Sequence, residues 1–278
     1  MRSKLFVPAI RPELFGKAMA SAADAVSFDL EDAVPADRKA EARAHLIRFL
    51  QSPTGAGKTI IVRVNAVGTP EFEADLAALA RLPVDLINLP KVENTGVVSL
   101  AAERIARDWG DDAEPHLLLN IETARGLRCA QALAGAHERV AGLQLGLGDL
   151  FEADGIDRRD PANVHAALYA LRMAAAEAGV FAYDSAWGEV EDEAGFQTEA
   201  TMARRLGYLG KSCIHPRQIA AANAIFSPTA GEIERARRVV AAAAHAGARG
   251  HGAFLVDGRM IDAPYLRRAQ AIIAAADA

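Results

Sequence analysis

Cysteine is nearly missing from this chain: 278 residues hold two, Cys129 and Cys213, far apart and outside any C-x-x-C pair. That excludes a disulfide-stapled scaffold and a dithiol redox motif, and it reads as two reduced thiols. No His/Cys group has zinc-site spacing. No run approaches the ~18 apolar residues of a membrane helix. The N-terminal "MRSKLFVPAIRPELFG" has only a short apolar run, broken by Pro8, too short for a secretion signal. Basic excess is lacking too: 31 Lys and Arg face 36 Asp and Glu, a net charge of −5. A general nucleic-acid surface would be strongly basic, whereas a local patch for a small anion remains open. No G-x-G-x-x-G follows the first apolar run, which removes the phosphate loop of a dinucleotide-binding sheet. "TGAGKT" (54–59) resembles the end of a phosphate loop, but Ser52 replaces its first glycine and it precedes its strand, so it reads as a loop. These absences lead us to expect a soluble, cytoplasmic protein with no nucleic-acid and no membrane partner.

What is present is ordinary globular composition, 51% hydrophobic and 24% charged, arranged with a rhythm. Short apolar runs at 3–9, 25–32, 59–65, 84–91, 116–123, 140–149, 179–185 and 208–216 alternate with stretches of helical period. The helix candidates are 12–22, 37–50, 71–81, 95–108, 124–135, 162–178 and 191–206. About eight βα units in roughly 215 residues is the size of a TIM (β/α)₈ barrel; a doubly wound sheet is the alternative. The reading assigns residues 1–216 to the barrel and 217–278 to a C-terminal helical and hairpin extension. In that tail, 227–246 reads as a helix, Asp257-Gly258 as a hairpin turn, and a last helix carries Pro264 in its first turn. Such a tail either caps the barrel or reaches a neighbouring subunit.

Ionisable residues collect where the runs end. "LLLNIETARGL" (117–127) reads as a buried strand, yet it closes on Glu122. An unpaired buried carboxylate costs several kcal/mol or more, so it calls for a cation or donors. Asp29, Glu31, Asp32, Arg63, Asn65, Lys91, Asp149, Asp184 and His215 stand at the other ends. A charge at one strand end marks an exit to solvent; a ring of them at one barrel mouth makes a site. Glu122 and Asp149 close adjacent strands, ~4.8 Å apart, and both could reach one cation. Two carboxylates with water and substrate oxygens suit Mg²⁺. Gly146 and Gly148 would let the backbone approach a ligand beside Asp149, so Gly148, Asp149, Arg63 and Lys91 are the candidate substrate contacts. The planar fork of Arg63 suits a carboxylate or a developing oxyanion, and an internal ion pair with Glu31 or Asp32 behind it is compatible with that role. Lys91 and Lys211 as Schiff-base lysines lack an evident apolar pocket. His215 reads as a structural hydrogen-bonding residue, and Asp184 as a hydrogen-bonding group inside the barrel.

With these residues in view, the chain resembles the HpcH/HpaI aldolase and citrate lyase superfamily, most of all its citrate lyase β-subunit-like branch with malyl-CoA and citramalyl-CoA lyases. The stretches are "RSKLFVPAIRPELFGKA", "FDLEDAVPADRKAEAR", "VRVN", "LPKVEN", "IETARGL", "LGLGDL", "LGYLGKSCIHPRQI" and "GRMIDAPYLRRAQ", in order from residue 2 to residue 270. The resemblance implies a barrel with a C-terminal extension, assembled as homotrimers or homohexamers, and Mg²⁺ held by Glu122 and Asp149. It implies that Arg63 stabilises an enolate or alkoxide, and that Asp262, in "MIDAP", enters a neighbouring subunit's site as acid/base. The implied reaction is reversible Claisen-type cleavage of a 3-hydroxyacyl-CoA thioester, giving acetyl-CoA and a 2-oxo acid. Arg11, Lys17 and Lys91 are candidates for the CoA phosphates. The alternatives are a class II aldolase on free 2-oxo acids, a subunit that needs an acyl carrier protein, or a non-catalytic scaffold. One departure is local: in "YDSAWGEVEDEAGF" Ser185 stands where the family usually has glycine, which leaves the shape of the seventh loop open.

Overall fold

The eight apolar runs are the eight strands of one parallel sheet in the computed structural model, which describes residues 1–52, 57–109, 115–247 and 252–277. The loop read at 54–59 lies partly outside those residues. The strands are β1 Ser3–Pro8, β2 Ala25–Asp29, β3 Thr59–Arg63, β4 Leu86–Leu89, β5 His116–Ile121, β6 Val140–Leu145, β7 Phe181–Tyr183 and β8 Lys211–Cys213. β1 to β7 pair in chain order, and β8 returns to β1 with Ser3 opposite Lys211. Between β7 and β8 the Asp184–Lys211 bridge and the Ser212 N–H donated to the Asp184 carbonyl (3.1 Å) bring the barrel close to closure. The (β/α)₈ architecture expected from the rhythm of the chain is therefore the one formed.

The helices around it are α1 Phe15–Met19, α2 Lys39–Leu50, α3 Pro70–Leu79, α4 Thr95–Trp109, α5 Ala124–Ala134, α6 Leu147–Glu152, α7 Pro161–Ala178, α8 Glu193–Arg205 and α9 Arg217–Phe226. Local chemistry sets their starts. Thr69 Oγ1 accepts the Phe72 N–H with Pro70 in the first turn, and Asp160 caps α7 with Pro161 behind it. Thr123 follows Glu122 directly and accepts the Gly126 N–H at 3.0 Å, so strand end and helix start are one step apart. Outward-facing Val26, Phe28, Val62, Leu119 and Leu143 pack on Leu46, Phe72, Ile105, Leu133 and Leu168 in the main core.

Two expectations change. The run 140–149 is not all strand: β6 ends at Leu145, the Gly146 N–H completes the ladder on the Ile121 carbonyl, and its own carbonyl accepts Leu150 N–H. Asp149 thus lies in the first turn of α6 instead of at a strand end. Beyond Pro216, α9 packs Ile219 and Ala222 into the barrel core, so one compact unit runs Met1–Phe226 and the second Ser227–Ala278, where the sequence reading had divided the chain after 216. The second unit holds α10 Ala230–Gly247, a hairpin of β9 Phe254–Val256 and β10 Arg259–Ile261, and α11 Ala263–Asp277. Its turn has φ of 52° at Asp257 and 75° at Gly258, the double left-handed geometry expected of Asp-Gly. Ala236, Val239, Val256, Ile261 and Ala269 form its own small core. Among the described residues no helix is long and apolar enough to cross a membrane.

The barrel interior is unusual. Ala25, Ile61 and Leu86 form an apolar patch, but two residues further along the same strands stand Ser27, Arg63 and Asn88. Lys4, Asn120 and Gln144 also face inward, and all but Arg63 are buried. Barrel interiors are normally filled by branched aliphatic side chains.

Candidate active site

Glu122 ends the inward face of β5 and is only 4% exposed. Its Oε1 accepts the Lys91 backbone N–H at 2.8 Å, and its Oε2 accepts the Asn120 Nδ2–H. Lys91 reaches this arrangement at φ 51°, a left-handed conformation uncommon for a residue with a side chain. Burial pushes the Glu122 carboxyl up to about 7; Arg63 opposes the rise, and the charges of Glu31 and Asp149 add to it. Gly146 makes the space: a Cβ there would lie 2.5 Å from Glu122 Cβ and 2.8 Å from Oε2. Asp149 is exposed, and nothing lies within 4 Å of a Cβ built on Gly148.

The departure at Ser185 has a definite role. Its buried Oγ accepts the Leu147 N–H at 3.1 Å, supplying an acceptor to the start of α6, where Gly146 offers no side chain. Arg158 holds the serine in place, donating to Ser185 Oγ at 3.3 Å and to the Ala186 carbonyl at 2.6 Å while paired with Glu199 at 2.7 Å. The seventh loop therefore anchors the helix that carries Asp149.

Arg63 grips Asp29 with Nε at 2.8 Å and Nη2 at 2.6 Å, and its Nη1 lies 3.1 Å from Glu31. Its guanidinium sits 5.3 Å from the Phe6 ring centroid. Of the two partners expected from sequence, Glu31 is one; Asp32 instead meets Lys91 at 3.1 Å, and the missed partner is Asp29. Lys91 Nζ also pairs with Glu31 at 2.7 Å. Against desolvation, Glu31 and Asp32 hold that ammonium above its ordinary range, which disfavours a Schiff-base amine. Lys211 is fully buried between Asp184 (2.7 Å) and Glu199 (2.5 Å), an ion-paired structural cation. Burial pushes Asp184 up to about 6 despite Lys211, and the Cys213 thiol up to about 12. His215 Nδ1 accepts the Arg217 N–H, a local structural bond. Arg11 pairs with Glu13, and Lys17 is exposed. Asp262 precedes α11 in the second unit; its carbonyl accepts the Leu266 N–H, and its buried Oδ1 has no hydrogen-bond partner among the described residues.

Among the described residues no three His, Cys, Asp or Glu side chains gather around one metal position. The mouth instead offers Glu122 with Asp149 near enough to act on it. Each Glu122 oxygen has one protein donor and keeps a lone pair, and a hard divalent cation would offset the burial that raises its pKa. Sequence reasoning had passed over Asn120, Gln144 and Lys4. The signal was the period of two: Asn120 stands two before Glu122, and Gln144 two before Gly146.

Fold and site together define a TIM-barrel enzyme with carboxylates and an arginine at its mouth. The chain belongs to the HpcH/HpaI aldolase/citrate lyase family, whose model matches residues 2–216, and it is an enzyme of the lyase kind. It is 34% identical over 284 residues to the citrate lyase subunit beta of Leuconostoc mesenteroides subsp. cremoris (100% of this chain, 93% of the relative). It is 36% identical over 278 residues to a (3S)-malyl-CoA thioesterase of Cereibacter sphaeroides (100% and 95%). The crystal structure of CitE from Mycobacterium tuberculosis with magnesium, acetoacetate and coenzyme A is similar over 100% of both chains, with a TM-score of 0.76 and 32% identity. A citrate lyase beta subunit from the same organism, with oxaloacetate and magnesium, matches 82% of this chain and 97% of its own, at a TM-score of 0.70 and 33% identity.

Proposed function

We propose that this chain is a Mg²⁺-dependent carbon–carbon lyase that cleaves a 3-hydroxyacyl-CoA thioester of the malyl-CoA or citramalyl-CoA kind, reversibly, into acetyl-CoA and a 2-oxo acid. The observation that carries the reading is Glu122, a buried carboxylate at the barrel mouth whose pKa reflects both Arg63 and Asp149. Glu122 and Asp149 would hold the Mg²⁺, which when bound supplies Lewis-acid polarisation of substrate oxygens. Arg63, fixed by Asp29 and Glu31, stabilises the oxyanion that develops as the carbon–carbon bond breaks, usually the largest electrostatic contribution to such a reaction. Gly148, with open space where a side chain would be, lets the backbone meet the substrate beside Asp149. Glu31 and Asp32 keep Lys91 charged, and its backbone N–H orients Glu122. Asp262 from the second unit of a neighbouring copy protonates the enolate carbon of acetyl-CoA, or removes that proton in the condensing direction; this makes the working form a homotrimer or homohexamer, in the cytoplasm.

The test is deuterium exchange into the acetyl-CoA methyl group, with Mg²⁺, with and without glyoxylate or pyruvate. Exchange or condensation that EDTA abolishes supports the reading, and the preferred oxo acid names the substrate. No exchange under any condition refutes it. The 34% identity to citrate lyase β subunits favours a second reading, in which the thioester sits on an acyl carrier protein; turnover only with a carrier-bound thioester selects that one.

A further inference from the structure

We propose that Lys4, Gln144 and Asn120 form a hydrogen-bonded chain of fixed direction through the barrel interior, and that this chain positions Glu122 for its cation. It rests on the reading of Glu122 as a metal ligand.

The three side chains come from three strands, β1, β6 and β5, and are 0%, 3% and 2% exposed. Lys4 Nζ donates to Gln144 Oε1, Gln144 Nε2 donates to Asn120 Oδ1 at 2.9 Å, and Asn120 Nδ2 donates to Glu122 Oε2. Burial, with the charge of Arg63 adding to it, lowers the Lys4 pKa well below the ordinary lysine range, but charged or neutral its Nζ carries N–H donors. Gln144 turns its oxygen to them, which points its NH₂ to the Asn120 oxygen and the Asn120 NH₂ to Glu122. Reversed amides would set an oxygen against the carboxylate. With the chain running this way a donor reaches Glu122 Oε2, while the Lys91 N–H serves Oε1. The carboxylate is held from both sides, with its outward lone pairs left for a cation. Groups behind a metal ligand commonly set its orientation in this way.

Stability does not account for Lys4. Among the described residues, buried Lys211 is paired with Asp184 and Glu199, and partly buried Arg63 with Asp29 and Glu31. Lys4 has only the Gln144 amide and the faces of Phe6 (4.3 Å) and Tyr183 (5.4 Å), and among the described residues no carboxylate pairs with it. A buried lysine without an ion partner is costly, and an unbranched apolar side chain would fill the same space.

The experiment is calorimetric titration of the whole chain with MgCl₂ for Lys4→Met and Gln144→Glu, with circular dichroism and melting in EDTA alongside. Lys4→Met removes the base of the chain. Gln144→Glu gives Lys4 an ion partner but cannot donate to Asn120, so a purely structural role predicts equal or higher melting and unchanged Mg²⁺ binding. The expected result is a Kd for Mg²⁺ raised roughly tenfold or more in each folded variant, with no matching fall in melting for Gln144→Glu. A Kd within about twofold of the parent in either folded variant overturns the proposal, and should one variant not fold, the other decides. Glu122→Gln in the same titration separates the two ideas. Loss of binding upholds the ligand role whatever the chain does, whereas undiminished binding overturns the ligand role and the chain's purpose with it.

Discussion

Replacing Gly146 by alanine adds one methyl group, and the structure places it 2.5 Å from Glu122 Cβ and 2.8 Å from Glu122 Oε2. Carbon atoms in contact prefer about 3.5–4.0 Å, so Glu122 must retreat by roughly 1 Å. Its Oε1 bond to the Lys91 N–H is 2.8 Å, and stretching it by that much takes it outside hydrogen-bond range. Gly146 has a negative φ of −112°, so alanine meets no left-handed backbone strain there. Overpacking of this kind costs about 1–3 kcal/mol, partly offset by the ~0.4–1 kcal/mol that Gly→Ala gains through the unfolded state. The midpoints leave about 1.3 kcal/mol, and at about 2–4 °C per kcal/mol for a unit of this size melting should fall by about 3–5 °C. The larger effect is on the site: Mg²⁺ affinity and Mg²⁺-dependent turnover should drop by about 10–100-fold. Calorimetry, steady-state kinetics and differential scanning fluorimetry read these quantities. Gly148→Ala is the companion, since nothing lies within 4 Å of its added methyl and a helix position gains up to about 1 kcal/mol. It should melt no lower than the parent, and a raised KM would mark the ligand's approach. Parent-like melting and Mg²⁺ dependence in Gly146→Ala would refute the reasoning, because Glu122 would then not need the space that the glycine leaves.

Arg63→Met should leave Asp29 buried without its cation and Glu31 with Lys91 alone, a loss of about 3–5 kcal/mol; denaturant unfolding measures it, and a change under 1 kcal/mol would contradict the ion-pair geometry. In EDTA, the raised Glu122 pKa means the folded chain holds a proton that the unfolded one has released between 4.5 and about 7. That contribution is therefore full below pH 4.5 and is lost as pH rises through about 7, and the difference, at roughly 1.4 kcal/mol per pH unit, is about 3 kcal/mol. Comparing unfolding of the parent and Glu122→Gln at pH 5 and pH 8 tests it, since only the parent should lose this stability. Ser185→Ala removes the acceptor of the Leu147 N–H and should cost about 1–3 kcal/mol, with weaker Mg²⁺ binding through Asp149; Ser185→Thr, which keeps the hydroxyl, should retain more of both in the same assays.

Most of the barrel was legible because its signals are local. Buried parallel strands are continuous apolar runs, and Thr69, Thr123 and Asp160-Pro161 mark helix starts by chemistry confined to one turn. The start of α6 was harder: "GLGD" continues the alternation of β6, and only the Ile121 carbonyl of the neighbouring strand and the Ser185 hydroxyl of the seventh loop show where the helix begins. α9 was missed because its apolar residues are mostly alanines, which gain meaning only against β1 and β8. Glu122 stood out since a carboxylate closing an apolar run is locally odd.

By itself the sequence determined the strand–helix alternation, the Asp-Gly hairpin and the candidate charges, since period, turn chemistry and composition act over a few residues. Tertiary structure alone decided the partners. Arg63 pairs with Asp29 and Glu31, Lys91 with Glu31 and Asp32, and Ser185 lies under α6. Lys4 met Gln144 across 140 positions of chain. The reason is physical: which donor faces which acceptor inside a closed sheet depends on strand register and on the exclusion of water, and neither exists until the barrel has formed.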